Sequence, residues 1–221
     1  MNIGKYNIRP ILLRIPDEQK YLDRADACLK RLEAIGVTDT YVVDGIHADK
    51  FGILGTHPYN LDKPDSQHMI GPKYVGSFLS QYVVYNVMKA LPEEHFMFME
   101  CDNVMNDNWL QELEKALTDI PEDFDFLFLH SCCAMDKKPR PVKPCSNVYG
   151  FAKTSGYPAL YPLSGSCYII AKKCLGHVIA TQRDAYAPAD INLALHSFPQ
   201  MSIYAILPRI SEQLGNENLV R

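Results

Sequence analysis

Phe96-Met97-Phe98-Met99-Glu100-Cys101-Asp102 carries four apolar residues straight into two carboxylates separated by one residue. An unbroken apolar run predicts a strand covered on both faces, as in a parallel or mixed sheet. Ligands of open α/β sheets gather at the carboxyl ends of such strands, which puts Glu100 and Asp102 at the mouth of a site. Side chains two apart on a strand point the same way, so the two carboxylates are expected to converge on one hard cation, Mg²⁺ or Mn²⁺, itself bound to substrate phosphates. That is the metal-diphosphate arrangement of nucleotide-sugar chemistry. The plainer alternative is an ordinary strand end whose acids cap the next turn.

The elements that must position these acids alternate along the chain. Ile8 to Leu13 reads as a first strand. A helix is expected from about Asp17 to Ile35, with Tyr21, Ala25, Leu29 and Leu32 at helical spacing and Gly36 as its stop. Thr40 to Val43 is a second strand that ends at Asp44-Gly45. Ile46 to Lys73 shows little periodicity and reads as a long loop, a class that is usually functional or mobile. Tyr74 to Leu91 is a helix with Phe78, Tyr82, Tyr85 and Met88 placed for burial. After the acid-tipped strand, Asn106 or Asp107 is expected to cap a helix through Leu117, and Phe124 to Leu129 makes another strand. Cys132 to Val148, rich in proline and basic residues, reads as an exposed irregular excursion. Tyr161 to Ala171 is a strand or hairpin arm around Gly165, followed by a helix near Lys172 to Thr181. Strands alternating with helices predict an α/β protein of three layers.

Composition narrows the class. With 221 residues, 47% hydrophobic and 22% charged, the chain can bury a full core and is expected to form one domain over 1–221. A net charge of −4 without a long basic run lacks the footprint of a nucleic-acid binder. The N-terminus has no signal-peptide apolar core, and no stretch approaches the ~20 apolar residues of a membrane span. A cytoplasmic location is therefore the expectation. The 7 cysteines form no CxxC pair and are read as free thiols rather than a disulfide framework or zinc site. His47, His57 and His68 lack the tight pairing of zinc ligands and are read as solvated loop residues. Trp109, Tyr149, Tyr157 and Tyr161 are either a stacking platform for a sugar or core and surface residues.

Several short strings, taken in order, resemble glycosyltransferase family 25, which includes lipooligosaccharide galactosyltransferases and collagen galactosyltransferase-like enzymes. LLRIPDEQKYLDR is similar to the family's opening strand and helix with its Asp-Arg pair, here Asp23 and Arg24. VVDG at Val42 to Gly45 resembles the end of the second strand, and GSFLSQ at Gly76 to Gln81 the Gly-Cys-x-x-Ser-His helix start. FMFMECD resembles a strand ending in Glu-Asp-Asp. LSGSCYIIAKK, Leu163 to Lys173, is similar to the Gly-x-x-Ala-Tyr strand leading into Ser-Lys-Lys, and Pro188 to Asp190 resembles a late Pro-x-Asp element. The likeness runs from about Ile11 to Gln213. Cys101, Ser77 and Gln81 depart from the family pattern, while the outer acids Glu100 and Asp102 keep it.

The resemblance implies a GT-A fold, a three-layer α/β/α sandwich with a mainly parallel central sheet. It implies a Mn²⁺- or Mg²⁺-dependent transfer of a hexose, galactose or glucose, from a UDP-sugar to a hydroxyl of a glycan, lipid-linked or protein acceptor, with inversion. A cation held by Glu100 and Asp102 would stabilise charge on the departing diphosphate, with His196 approaching it as a late histidine does in many GT-A enzymes. An inverting transfer also needs a carboxylate base, and Asp190 is the candidate; a helix N-cap over Ile191 to Leu195 is its plain alternative. Donor contacts are assigned to Arg24, Asp44, Gly76, Ser80 and Gly165. Asp44-Gly45 is equally a turn signal, and Gly165 equally a bulge. Two other classes stay open: a nucleotidyltransferase acting on sugar phosphates, and a non-catalytic carbohydrate-binding protein on a degenerate transferase fold.

Overall fold

A computed structural model of the chain describes residues 1–47, 72–130, 139–151, 161, 165–182 and 189–214. A short strand β1 (Asn2–Ile3) pairs antiparallel with the start of the long strand β2 (Tyr6–Arg14). α1 (Gln19–Ala34) buries Ala25, Cys28 and Leu32 on one face. It stops at Gly36, whose φ of +83° is the left-handed conformation that disfavours a β-carbon. β3 (Tyr41–Asp44), α2 (Pro72–Ala90), β4 (His95–Glu100), β5 (Asn103–Met105), α3 (Trp109–Asp119) and β6 (Phe126–Phe128) follow. Then come β7 (Arg140–Pro141), β8 (Val148–Gly150), β9 (Cys167–Ala171), α4 (Leu175–Thr181), α5 (Ala189–Asn192), β10 (Ile203–Ile206) and β11 (Ser211–Gln213).

Pairing fixes the strand directions. β2 runs parallel to β3 on one edge and to β4 on the other. β9 lies antiparallel between β4 and β6, and β6 runs parallel to β10. Thus β2, β3, β4, β6 and β10 all point one way and β9 alone is reversed among them, which makes the sheet mainly parallel as expected. β8 and β7 close its far edge as an antiparallel hairpin. The proline-rich segment read as irregular therefore contributes strands at 140–141 and 148–150, with Pro141 on an edge where its missing N–H costs nothing.

Each face of the sheet is covered. Met97, Met99, Leu127 and Ile169 pack with Ala25, Cys28 and Leu32 of α1 and Leu113, Ala116 and Leu117 of α3. Phe96, Phe98, Phe126 and Ile170 pack with Val84, Tyr85 and Met88 of α2 and Leu175 and Val178 of α4. The consecutive apolar residues of β4 thus divide between two cores, the property that an unbroken apolar strand encodes. The result is the three-layer α/β/α sandwich.

Local expectations shift in a few places. Asn108, not Asn106 or Asp107, occupies the N-cap position of α3; the Asn106 amide instead donates to the Arg209 carbonyl at 3.1 Å. Trp109 and Tyr161 are buried core side chains and offer no stacking platform. His47 is mostly buried, with Nε2 3.1 Å from Glu18 Oε1, rather than solvated. Cys28, Cys101, Cys145, Cys167 and Cys174 are free thiols. Tyr157, His57, His68, Cys132, Cys133, Pro188 and most of the long 46–73 segment lie outside the described residues. No helix among the described residues is long and apolar enough to cross a membrane.

Candidate active site

Because β2, β3, β4 and β6 share a direction, their last residues gather on one edge: Arg14, Asp44, Glu100 and, just past β6, His130. The reversed strand β9 begins on that same edge, preceded by Gly165 and Ser166. Glu100 N–H donates to Ser166 O at 2.9 Å, and His130 N–H to Cys167 O at 3.2 Å, so Glu100 and His130 flank the Ser166-Cys167 dipeptide at the start of β9.

Glu100 continues the side of β4 occupied by Phe96 and Phe98, facing α2. β4 ends at Glu100 and the chain turns over Cys101 and Asp102, so the two-residue alternation of a strand does not extend to Asp102. Cys101 packs against the α1-side core. Burial pushes the Glu100 carboxyl up to about 8, and the negative charges of Asp102 and Asp190 push the same way. Two acids, Asp102 in the same turn and Asp190 from a distant part of the chain, are therefore within electrostatic reach of Glu100, although the Glu100 side chain keeps partial contact with solvent at the strand end. Among the described residues no lysine or arginine forms an ion pair with Glu100 or Asp102.

The acid turn is clamped from two sides. Asn103 Nδ2 donates to Ser166 O at 2.8 Å. From β11, Gln213 Nε2 donates to Asp102 Oδ2 at 2.8 Å, and Leu214 N–H donates to Asp102 O at 2.8 Å. Asp102 Oδ1 is buried and meets no partner among the described residues. One oxygen is held and the other left over, next to a second acid without a basic partner; hard oxygen donors in that state suit a divalent cation. The described residues hold no group of three or more His, Cys, Asp or Glu placed around one ion. They do not complete a ligand set with His196, and a cation at Glu100 and Asp102 would draw its other ligands from substrate and water, as Mg²⁺ usually does.

The other candidates fall into place around this edge. Asp190 lies in the first turn of α5, its Oδ1 accepting from Ile191 N–H at 2.9 Å. His196 sits in the π-helical turn Leu193–Ser197 that continues α5, and among the described residues its ring joins no cluster of three or more metal-ligating side chains. Arg24 lies on the α1 side, near enough to Cys101 for its charge to favour the thiolate, though burial and nearby acids dominate and push that thiol up to about 11. Asp44 is 51% exposed and paired with Arg14, Nε to Oδ1 2.7 Å. Ser80 is wholly buried: its hydroxyl accepts from Ile46 N–H at 2.8 Å and donates to the Gly76 carbonyl at 2.6 Å. Ser80 thus ties α2 to the residues just past β3.

Sequence reasoning passed over Asn103, Gln213 and His130. His130 carried a signal, since Phe126 to Leu129 runs into it as Phe96 to Met99 runs into Glu100. It is buried, with Nδ1 3.0 Å from the Ser211 carbonyl. A carbonyl only accepts, so Nδ1 carries a proton and, in the neutral ring, Nε2 bears the lone pair. Gln213, 111 positions from Asp102, had no signal at all.

No protein-family model matches the chain, and no curated protein matches it in sequence. Among solved structures, it is similar to a glycosyltransferase involved in the glycosylation of the major capsid of PBCV-1. That likeness has TM-score 0.42 and 13% identity, and covers 80% of this chain and 67% of that one. It is also similar to a mannose-1-phosphate geranyltransferase from Thermus thermophilus, with TM-score 0.42, 10% identity, and 93% and 75% of the two chains covered. Both neighbours are transferases. A likeness of this degree leaves the functional reading to the chain's own residues.

Proposed function

We propose that the chain is a glycosyltransferase that moves a hexose from a UDP-sugar to a hydroxyl acceptor with inversion, using Mn²⁺ or Mg²⁺ held by Glu100 and Asp102. The observation that carries this reading is the set of three acids, Glu100, Asp102 and Asp190, at the carboxyl edge of a mainly parallel sheet, with Glu100 and Asp102 lacking a basic ion-pair partner among the described residues. Such a cluster is electrostatically unfavourable until a cation enters. The cation would stabilise negative charge on the departing diphosphate. Asn103 and Gln213 hold the acid turn in shape, so no reorganisation is needed when charge develops. Asp190 would take the proton of the acceptor hydroxyl. Arg24, on the α1 side of the turn, would meet the donor's phosphates. Asp44 would reach the ribose or uracil through the oxygen that Arg14 leaves, and Gly165 would lie against the sugar.

Thermal denaturation with UDP and UDP-hexoses, with and without Mn²⁺, tests the reading. Ligand at about a hundred times its Kd adds ~2.7 kcal/mol to apparent stability. We expect UDP to raise the melting temperature only when Mn²⁺ is present, and Asp102→Asn to abolish that gain. UDP stabilisation that survives unchanged in Asp102→Asn, or release of pyrophosphate from a nucleoside triphosphate and a sugar phosphate, would overturn it.

A further inference from the structure

Gln81 sits in the middle of α2 at 4% exposure, a long polar side chain in an otherwise apolar wall. Tyr85, one turn on, donates its hydroxyl proton to Gln81 Oε1 at 3.4 Å, and the Tyr168 hydroxyl of β9 lies 2.9 Å from that of Tyr85. An amide oxygen only accepts, so the chain of protons runs from Tyr168 through Tyr85 to Gln81. That direction ties the carboxamide oxygen inward and turns its NH₂ outward. A β-carbon built on Gly165 would stand 3.5 Å from Nε2 and 3.9 Å from Oε1, so the NH₂ edge faces Gly165. Among the described residues Nε2 donates to no acceptor.

Gly165 is not a glycine by demand of the fold. Its φ is outside the left-handed region, and every contact of an added β-carbon would be an ordinary one of 3.5 Å or more. The space that a methyl would take stands open before the Gln81 amide. The same floor borders the acids: Glu100 and Asp190 both add to the burial that raises the Tyr85 hydroxyl pKa, and Glu100 acts likewise on Tyr168. In a transferase with its cation at Glu100 and its base at Asp190, the anomeric carbon is bracketed by the two, and the hexose ring lies between them.

We infer that the Gln81 carboxamide, aimed across the bare backbone of Gly165, donates to a hydroxyl oxygen of the transferred hexose and so sets sugar specificity, an inference that rests on the transferase reading above. A site built to pair with a substrate hydroxyl discriminates because a competing sugar that shields the amide from solvent without accepting its hydrogen bond leaves that amide unpaired.

Calorimetric titration in Mn²⁺, with UDP and with UDP-glucose and UDP-galactose, tests it on wild type, Gly165→Ala and Gln81→Leu. Gly165→Ala is expected to keep the wild-type melting temperature and UDP affinity while weakening the preferred UDP-hexose about tenfold or more. Gln81→Leu should weaken the hexose nucleotide in the same direction, and Gly165→Ala keeps the test sound if loss of the Gln81-Tyr85 bond unfolds that variant. An unchanged ratio of UDP-hexose to UDP affinity in Gly165→Ala overturns this inference and leaves the transferase reading standing. Absence of Mn²⁺-dependent UDP binding in the wild type overturns both.

Discussion

Replacing Glu100 with glutamine should make the metal-free protein more stable, and more so as the pH rises. The Glu100 carboxyl titrates at about 8 in the folded chain against 4.5 in an unperturbed one. Below pH 4.5 the group is neutral in both states and its contribution is fully present. Between 4.5 and about 8 the folded protein keeps a proton that the unfolded chain has released, so stability falls as pH rises, at about 1.4 kcal/mol per pH unit for a fully expressed shift. Above about 8 the contribution is gone. A wholly buried carboxylate would lose about 5 kcal/mol across that window, and the solvent that still reaches Glu100 reduces this to about 2 kcal/mol. Glutamine does not titrate. In urea melts with EDTA, Glu100→Gln should match the wild type near pH 4.5 and exceed it by about 2 kcal/mol at pH 8.5, roughly 5 °C in melting temperature for a chain of this size. Titrating groups remote from Glu100 are common to both proteins and cancel in the difference, while Asp102 and Asp190, which act on Glu100, ionise more easily once its charge is removed. Mn²⁺ favours the ionised carboxylate and should reverse the order, stabilising the wild type at high pH and leaving Glu100→Gln unmoved. Superimposable pH profiles of the two metal-free proteins from pH 5 to 8.5 would refute the electrostatic argument.

Gly45→Ala should destabilise by about 1–3 kcal/mol in chemical denaturation. Its β-carbon would fall 2.7 Å from both Ile15 Cδ1 and Ser80 Oγ, and Ser80 is held by Ile46 and Gly76 and cannot retreat; a neutral result would mean that β3 and α2 are not locked there. Tyr168→Phe should cost about 1–2 kcal/mol by removing the buried proton donor to Tyr85. In a Tyr85→Phe background the same change should cost at least about 0.5 kcal/mol less, and equal costs in the two backgrounds would deny the pairing.

The layers of the fold were legible because burial writes itself into period. Phe96 to Met99 is apolar at every position since Phe96 and Phe98 serve one core and Met97 and Met99 the other. Tyr21 to Leu32 repeats at helical spacing because α1 has one core and one solvent face. The reversal of β9 was not legible: an apolar strand such as Cys167–Ala171 reads the same in either direction, and only its pairing with His95–Met99 reveals it. The pairing of Val148–Gly150 with β10 was missed for a related reason, since the prolines and lysines that precede it belong to the edge strand β7 and its turn and say nothing of what β8 pairs with. At the site, Glu100 and Asp102 were visible as residue types at a strand end. The turn that breaks their alternation, and the Gln213 amide that holds one oxygen of Asp102, depend on contacts remote in sequence.

The sheet register also separates two acids that look alike in sequence. Asp44 ends β3 and Glu100 ends β4, each after a run of apolar residues and each beside β2. Asp44 stands opposite Arg14, which closes on it at 2.7 Å, whereas Glu100 stands opposite Leu13, one residue earlier on the same strand. A single step of register gives one carboxylate an arginine and the other an aliphatic neighbour. The consequence is chemical: Asp44 can take a ligand hydroxyl only alongside its arginine, while Glu100, with no ion pair among the described residues, gains the most from an incoming positive charge. A cation-dependent site is therefore expected to centre on β4, and substitutions at Asp44 should weaken nucleotide binding without removing its dependence on Mn²⁺.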